Sequence, residues 1–145
     1  MDPVACLCTN ARRAALTLTA IYDGALAPHG LKVTQFSLLR AVARHGRPNL
    51  TALSEATGLD RSTLGRNLRI LAGMGLVRLA PGRDQRDRRV SLTPRGAARV
   101  RGASRAWSRL QDSLGASLGE DAGRLVTVCH RVASMPWPPS AEARP

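Results

Sequence analysis

Polar side chains of the kind that hydrogen-bond to nucleic acid cluster in one short segment of the sequence: Arg61, Ser62, Thr63, Arg66, Asn67 and Arg69. Guanidinium groups form paired hydrogen bonds with phosphate and with the edge of guanine. Asp60 precedes the segment as an N-cap, which predicts a helix from Arg61 to about Met74. The chemistry that these residues could perform is recognition of DNA.

A second charged cluster follows that helix: Arg83, Asp84, Arg86 and Arg88. It lies between two short β-like segments, Leu76–Leu79 and Val90–Leu92, and Pro81-Gly82 is typical of a turn. The pattern predicts a β-hairpin with these charges at its tip. An arginine at such a tip can enter a minor groove, where the negative potential favours it. Arg88 and Arg89 are expected to meet phosphate or solvent.

Helices must position both clusters. A short helix, Ala52–Thr57, is expected to start with Thr51 as its N-cap, and Gly58-Leu59-Asp60 joins it to the helix that begins at Arg61. An earlier helix is expected to start with Thr34 as its N-cap. Its expected buried side is Phe36, Leu38, Leu39, Val42 and Ala43. The apolar spacing that would lock the joined pair together is carried by Leu53, Ala56, Leu59, Leu64 and Leu68. This is the pattern of a helix-turn-helix, whose second helix enters the major groove.

Gly65 interrupts the second helix of that pair. Glycine in the middle of a helix costs about 1 kcal/mol relative to alanine. Two explanations are open: the helix backbone approaches DNA closely at this point, or packing within the protein tolerates the residue.

Long apolar helices flank the central part of the chain. Residues 5–27 carry apolar side chains at three- and four-residue steps, which predicts a helix that ends at Pro28. Thr93-Pro94 starts another helix that reaches Leu114, residues 115–119 are an expected break, and Glu120–Ala133 is the expected last helix. These apolar faces lack sufficient partner surface within one chain, so a second chain is expected to cover them.

The charge balance favours a polyanionic partner. Lys32 is the only lysine among 22 basic residues, and with 10 acidic residues the formal net charge is +12. Hydrophobic residues make up 43%, which is enough for a buried core. A charge this large attracts nucleic acid or an anionic surface. No segment is apolar enough to span a bilayer and the first residues do not read as a signal peptide, so we expect a cytoplasmic protein with reduced cysteines.

The order and spacing of these segments resemble the MarR family of winged helix-turn-helix regulators over roughly residues 8–135. The resemblance rests on residues 53–64 (LSEATGLDRSTL), 71–77 (LAGMGLV), 84–86 (DQR) and 90–96 (VSLTPRG). It implies a mostly α fold with a small β-hairpin wing and N- and C-terminal dimerisation helices. The implied organisation is a single domain over residues 1–145, with a DNA-binding lobe at about 31–96, dimerisation helices at 5–30 and 94–135, and a loose tail at 136–145.

The same resemblance implies a function. Asp84 would hold Arg86 in the minor groove of double-stranded DNA. A homodimer would repress genes by binding an inverted-repeat operator, and it would leave the DNA when a small, often aromatic or phenolic, ligand binds. Candidate ligand contacts between the lobe and the dimerisation helices are Tyr22, His29, Phe36, Arg40 and Trp107. The favoured, simpler interpretation of each is a core residue, a surface residue or, for His29, a helix cap.

Cysteine chemistry is an alternative way to release DNA. In the resembling fold the first and last helices pack together across the dimer, so Cys6 or Cys8 could approach the partner's Cys129. Such thiols could form a redox switch or bind a thiophilic metal such as arsenite. The simpler interpretation is that each cysteine packs as a small apolar side chain. A peroxide-sensing branch of the family has tyrosines beside its reactive cysteine, whereas Tyr22 is the only tyrosine here, so small-ligand release is favoured.

The sequence contains no catalytic pattern. It lacks a glycine-rich phosphate loop, an HExxH motif and suitably paired carboxylates, so neither an enzyme nor a resident cofactor or metal is expected. The remaining alternative is a basic structural protein that binds nucleic acid without sequence preference. A discrete footprint on a palindromic site would separate a regulator from such a protein.

Overall fold

The described part of the chain is mostly helical and carries a small antiparallel hairpin. The computed structural model describes residues 6–84 and 87–136. Its elements in chain order are α1 (Leu7–Leu26), a 3-10 turn (Ala27–His29), α2 (Val33–His45), α3 (Leu50–Thr57), α4 (Arg61–Gly73), β1 (Val77–Ala80), β2 (Arg89–Leu92), α5 (Pro94–Leu118) and α6 (Glu120–Ala133). The predicted fold class is confirmed. The chain divides into two compact units within α5, between Ser108 and Arg109.

The core of the first unit is centred on α2. Phe36, Leu38, Leu39 and Val42 are fully buried there. They share one apolar cluster with residues of the following elements, including Leu53, Leu64, Leu68, Leu71, Leu76, Val90 and Ala103. The apolar pattern of α2 also suggested a buried Ala43, which is wrong: Ala43 is exposed. Ala41 is buried instead, because it lies on the side of α2 that faces α3.

Helices α2 and α3 begin earlier than the sequence predicts. The N-cap of α2 is Lys32 rather than Thr34, because the first amide groups of the helix donate to the side chains of Asp23 and Gln35. The Val33 N–H donates to Asp23 Oδ1 of α1 at 2.7 Å, and the Lys32 N–H donates to Gln35 Oε1 at 3.0 Å.

The N-cap of α3 is Asn49 rather than Thr51. Its Oδ1 accepts from the Ala52 N–H at 2.9 Å. Asparagine is as good an N-cap as threonine, so α3 begins at Leu50 instead of the predicted Ala52.

The junction between α4 and α5 is tightly packed. Gly75 adopts φ +69, which ends α4 in a Schellman turn, with the Leu76 N–H donating to the Leu71 carbonyl at 2.9 Å. Thr93 Oγ1 donates to the Gly75 carbonyl at 2.6 Å and accepts from the Gly96 N–H at 2.9 Å. A Cβ at Gly96 would collide with the Leu76 carbonyl. The predicted stop at Gly75 and the helix start at Thr93-Pro94 are both confirmed.

The hairpin pairs Val77 with Leu92 and Ala80 with Arg89. Strand β1 begins at Val77 rather than at Leu76, because the Leu76 amide is engaged in closing α4. The Val90 N–H donates to the Pro48 carbonyl at 2.9 Å, so the hairpin is fixed to the segment between α2 and α3.

The second unit contains the end of α5 and all of α6. The predicted break over residues 115–119 is wrong, because α5 continues to Leu118 and only Gly119 leaves the helical conformation, with φ +56. Helix α6 spans Glu120–Ala133 as predicted, and none of its residues is buried. Within the described residues, no helix has the length and apolar character needed to cross a membrane.

Candidate nucleic-acid interface

Asp60 fixes the start of α4. Its Oδ1 accepts from the Thr63 N–H and from Ser62 Oγ, and its Oδ2 accepts from Thr63 Oγ1, each at 2.8 Å. These hydrogen bonds, led by that from the Thr63 amide, lower the pKa of Asp60 from 3.8 to about 2. The predicted N-cap is confirmed. The hydroxyl protons of Ser62 and Thr63 are therefore both donated to Asp60, which leaves the oxygen lone pairs of these hydroxyls to accept from another partner.

Helix α4 is sharply two-sided. Leu64, Leu68 and Leu71 are buried against the core. The outer side presents exposed side chains at the positions named from the sequence: Arg61, Ser62, Arg66 and Arg69. Because these arginines lie on the side away from the core, they can reach a polyanion without disturbing the packing of the helix.

Two of the candidate side chains lean on their own helix. Asn67 is half-buried, and its Nδ2 donates to the Thr63 carbonyl at 2.9 Å. Arg69 Nε donates to the Gly65 carbonyl at 3.3 Å. Asn67 would have to turn outward to read a base, whereas Arg69 keeps its terminal nitrogens available.

A cleft of about 450 Å³ separates α4 from the hairpin. Leucines form its apolar lining: Leu50, Leu64, Leu68 and Leu79. Arginines and small residues complete it: Arg61, Ser62, Gly65, Arg69 and Arg88. The cleft thus combines apolar walls with guanidinium groups from both the helix and the hairpin.

Three residues of the second predicted cluster are described at the hairpin tip. Arg83, Asp84 and Arg88 are exposed. Asp84 Oδ1 accepts from the Asp87 N–H at 3.1 Å, which links the two described sides of the tip. Arg86 lies outside the described residues, so its contact with a minor groove stays a prediction.

Arg89 has a role that the sequence did not suggest. Its guanidinium donates to the Arg47 carbonyl at 3.3 Å and pairs with Asp87 at 3.4 Å. The residue therefore ties the hairpin to the end of α2 as well as facing solvent. The only local signal was the neighbouring Asp87, because Arg47 is distant in the sequence.

The helix-turn-helix lock differs from prediction at one position. Leu53, Leu64 and Leu68 are buried as expected, but Ala56 is exposed, so its predicted place in the lock is wrong. Hydrogen bonding replaces it: Ser54 Oγ donates to the Leu59 carbonyl at 2.7 Å, across the turn. Gly58 makes that turn with φ +70.

Three of the candidate ligand contacts come together in the first unit. The Arg40 guanidinium carbon lies 4.1 Å from the centre of the Trp107 ring and 5.7 Å from that of Phe36. The two rings are 6.4 Å apart. Arg40 also lines a cleft of about 280 Å³ beside Ser37, Ala41, Arg44, Ala56 and Thr57. Phe36 itself is fully buried, so it acts on this cleft only through Arg40.

The other two candidates lie apart from that cleft. Tyr22 is half-buried, and burial raises its pKa. The His29 carbonyl accepts from Arg99 Nη1 at 2.6 Å, and its ring faces Gly102 of α5. His29 therefore helps to hold the turn after α1 against α5.

The three cysteines are free and exposed. Cys6 is the N-cap of α1, and hydrogen bonds from the side chain and the backbone of Thr9 lower its pKa. Cys129 lies on α6, in the second unit. Among the described residues, no group of three or more His, Cys, Asp or Glu is placed to hold a metal ion.

The sequence model of the MarR family matches residues 29–90, which include α2, α3, α4, β1 and the start of β2. The structure of the M. tuberculosis transcriptional regulator MosR in complex with DNA is similar over the whole fold: 36% of residues are identical, the TM-score is 0.78, and the match covers 88% of this chain and 96% of MosR. The chain belongs to the MarR family. It is a DNA-binding transcription regulator, and the family is not one of enzymes.

Other MarR-type structures extend the comparison. The transcriptional repressor CouR, bound to a 23-mer DNA duplex, is 27% identical with a TM-score of 0.78, and the match covers 88% of this chain and 92% of CouR. BpsR of Bordetella bronchiseptica shares the fold with a TM-score of 0.83 at 22% identity, over 94% of this chain and 99% of BpsR. No curated protein sequence matches the chain.

Proposed function

We propose that this MarR-type chain is a homodimeric repressor that reads an inverted-repeat operator with α4 and the hairpin wing. The observation that carries the proposal is the arginine-rich outer side of α4, placed beside a cleft to which the hairpin adds Arg88. MosR and CouR, two relatives solved with DNA, supply the analogy. Arg61, Arg66 and Arg69 would meet bases or phosphates, Arg86 would enter the adjacent minor groove with Arg83 beside it on the wing, and Arg88 would meet a phosphate.

The operator can be found with the protein itself. Wild-type protein would select sites from a random double-stranded DNA library, and the best site would then be footprinted. We expect a palindrome with half-sites about 10 bp apart, or a multiple of that, because a two-fold dimer presents two recognition helices. Enrichment of no sequence, with protection spread evenly along the DNA, would instead identify a non-specific structural protein.

The proposed dimer interface is argued from exposed apolar side chains in the first and last helices of the chain. In α1, Leu7, Leu16 and Ile21 are exposed, and in α6 so are Leu125, Val126, Val128 and Val132. Such side chains need a partner surface. Residues 5–30 and 94–135 would dimerise, and about 31–96 would bind DNA. Of the tail expected at 136–145, all but the first residue lies outside the described residues.

The effector that releases DNA is proposed to be a small aromatic or phenolic acid. Arg40 is stacked on Trp107 and lines a cleft with Arg44, so two guanidinium groups are available to a carboxylate. CouR has also been solved with p-coumaroyl-CoA. An effector must favour one dimer geometry, since equal affinity for both shifts nothing.

A screen of aromatic acids against operator binding tests this proposal. The active compound should release the wild type, whereas Arg40→Ala should bind the operator normally and need a higher concentration for release. Arg105→Ala, an exposed arginine of α5, is the control. Equal sensitivity of all three proteins would remove Arg40 from the site.

Thiol sensing is the second candidate, favoured by Cys6. Its thiol is exposed at the N-cap of α1 and its pKa is lowered by Thr9, and a larger thiolate fraction raises reactivity. Peroxide would first oxidise the thiol of Cys6 or Cys8. The oxidised sulfur would then react with the thiol of the partner's Cys129 to form a disulfide, and each of the two steps would release one water. A thiophilic metal could bridge the same thiols.

Serine variants decide between the two candidates. Operator binding would be measured for the wild type, for the triple Cys→Ser variant and for Cys129→Ser, with and without peroxide or arsenite. If only the wild type is released, the thiol route through Cys129 is correct. If all three proteins keep their DNA, the small-ligand route stands alone.

A further inference from the structure

Gly65 lies in the middle of α4, on the flank that faces the hairpin. It lines the 450 Å³ cleft together with Arg61, Arg69 and Arg88. Its backbone is not in the left-handed region that favours glycine, and glycine is a poor residue for the middle of a helix. Neither the conformation nor the stability of α4 therefore accounts for a glycine at this position.

Packing within the protein does not account for it either. A Cβ built at Gly65 meets no described atom within 4 Å outside the helix's own backbone. At Gly96, in contrast, a Cβ would collide with the Leu76 carbonyl, so glycine is required there by the fold. The open space beside Gly65 is on the side of the helix where the DNA-contacting arginines lie.

We propose that Gly65 is a close-contact position of the DNA interface, where the missing side chain lets a sugar–phosphate strand lie against the backbone of α4. The inference rests on the proposed DNA-binding mode. A strand that separates the major groove, occupied by α4, from the minor groove, reached by the wing, must cross this cleft. Gly65 thus sets how deeply the helix enters the major groove.

The arginines around the cleft fit this arrangement. Arg69 donates from Nε to the Gly65 carbonyl at 3.3 Å, so its side chain runs back along the helix toward the bare flank. Arg88 approaches the same cleft from the hairpin and Arg61 from the first turn of α4. A phosphodiester seated against Gly65 would have guanidinium groups on both sides, and a side chain at position 65 would displace it from them.

The test separates stability from affinity. Gly65→Ala introduces a small side chain and Gly65→Gln a larger one, and both residues favour helix. Gly73→Ala is the control, because Gly73 is the last residue of α4 and a Cβ there also meets no described atom within 4 Å. Thermal unfolding and binding to the selected palindrome would be measured at one salt concentration. We expect both Gly65 variants to unfold at or above the wild-type temperature, because each improves the helix.

The expected affinities run the other way. Gly65→Ala should bind about tenfold more weakly, a loss comparable with a mismatched base pair, and Gly65→Gln should bind more weakly still. Gly73→Ala should stay within about twofold of the wild type. Wild-type affinity of both Gly65 variants would overturn the inference. Measuring Arg66→Ala beside them keeps the two questions apart: if Arg66→Ala also binds normally, the assignment of α4 to DNA is itself wrong.

Discussion

At the scale of single residues, the arginines of this regulator have different roles despite their shared charge. Arg66 is exposed on the outer side of α4, and Arg40 is stacked on Trp107. Arg89 and Arg99 donate to backbone carbonyls and hold the hairpin and α5 in place. Only the first of these environments leaves a guanidinium free to read DNA, so substitutions of individual arginines should have clearly different effects.

Arg66→Ala tests base reading. If Arg66 pairs with a guanine, the change should cost roughly 1–3 kcal/mol on the selected palindrome and relax the preference at one base position. Binding would be measured against a panel of single-base variants of the site. Arg101→Ala, an exposed arginine of α5, is the control. A uniform loss on all sequences would reassign Arg66 to a phosphate.

Asp60 should make stability depend on pH in the acid range. Its pKa is lowered to about 2 in the folded protein, so its stabilising effect is complete above the unfolded value near 4 and is lost as the pH falls towards 2. The asparagine introduced by Asp60→Asn can still cap the helix but does not titrate. Between pH 5 and pH 2, the unfolding temperature of the wild type should therefore fall further than that of Asp60→Asn.

Thermal unfolding followed by circular dichroism at pH 5, 4, 3 and 2 would measure that difference. Asp112→Asn, at an exposed position within α5, is the control for loss of an acidic residue. A constant difference between Asp60→Asn and the wild type across this range would show that the Asp60 carboxylate is not stabilised by the cap.

At the scale of elements, the hairpin and α4 form one rigid unit because the chain between them is fixed at both ends. Gly75 ends α4 and turns directly into β1, while the Thr93 hydroxyl bonds back to the Gly75 carbonyl. The hairpin is also anchored to Pro48. The wing should therefore follow α4 as a rigid attachment, with Arg83 and Arg88 exposed on it.

The wing prediction concerns salt dependence. Arg88→Ala should weaken operator binding without lowering the unfolding temperature, since the residue is exposed. Loss of one phosphate contact should flatten the log–log slope of affinity against salt by about one unit. Arg86→Ala is expected to weaken binding more, and Asp84→Ala less. If Arg86→Ala and Arg88→Ala both bind like the wild type at every salt concentration, the hairpin does not contact the operator.

At the scale of the whole molecule, α6 is the element most in need of a partner. No residue of α6 is buried, and Val126 and Val132 are 57% and 62% exposed. Three of its polar residues pair with one another, since Arg124 bonds to Glu120 and Asp121. An apolar helix side of this kind is typical of a subunit interface.

The dimer prediction follows from that face. Val128→Asp should convert the protein to a monomer at micromolar concentration and abolish tight operator binding, because burying an unpaired carboxylate in an interface costs roughly several kcal/mol. Thr127→Asp places the same charge on the neighbouring position, where Thr127 Oγ1 bonds to its own helix, and should remain dimeric. Sedimentation velocity would measure both. A wild-type monomer with tight operator binding would refute the proposed dimer.

What the sequence determined by itself was the set of features that depend on neighbours a few residues apart. Asp60 caps α4 through residues two and three positions on, Gly75 stops it, and of the predicted charges Arg83, Asp84 and Arg88 are exposed at the hairpin tip. The family resemblance, carried by residues 53–96, therefore led to the correct fold. Local hydrogen bonds and turn chemistry need no knowledge of the rest of the chain.

Tertiary structure decided the features that join distant parts of the sequence. The start of α2 depends on Asp23 of α1, Arg89 bonds to Arg47, and Arg40 lies on Trp107. Ala56 was assigned to the core because its spacing fits a helix pair, but packing turned it outward. Periodicity gives the apolar side of a helix, whereas which neighbour covers that side depends on contacts between elements far apart in the chain.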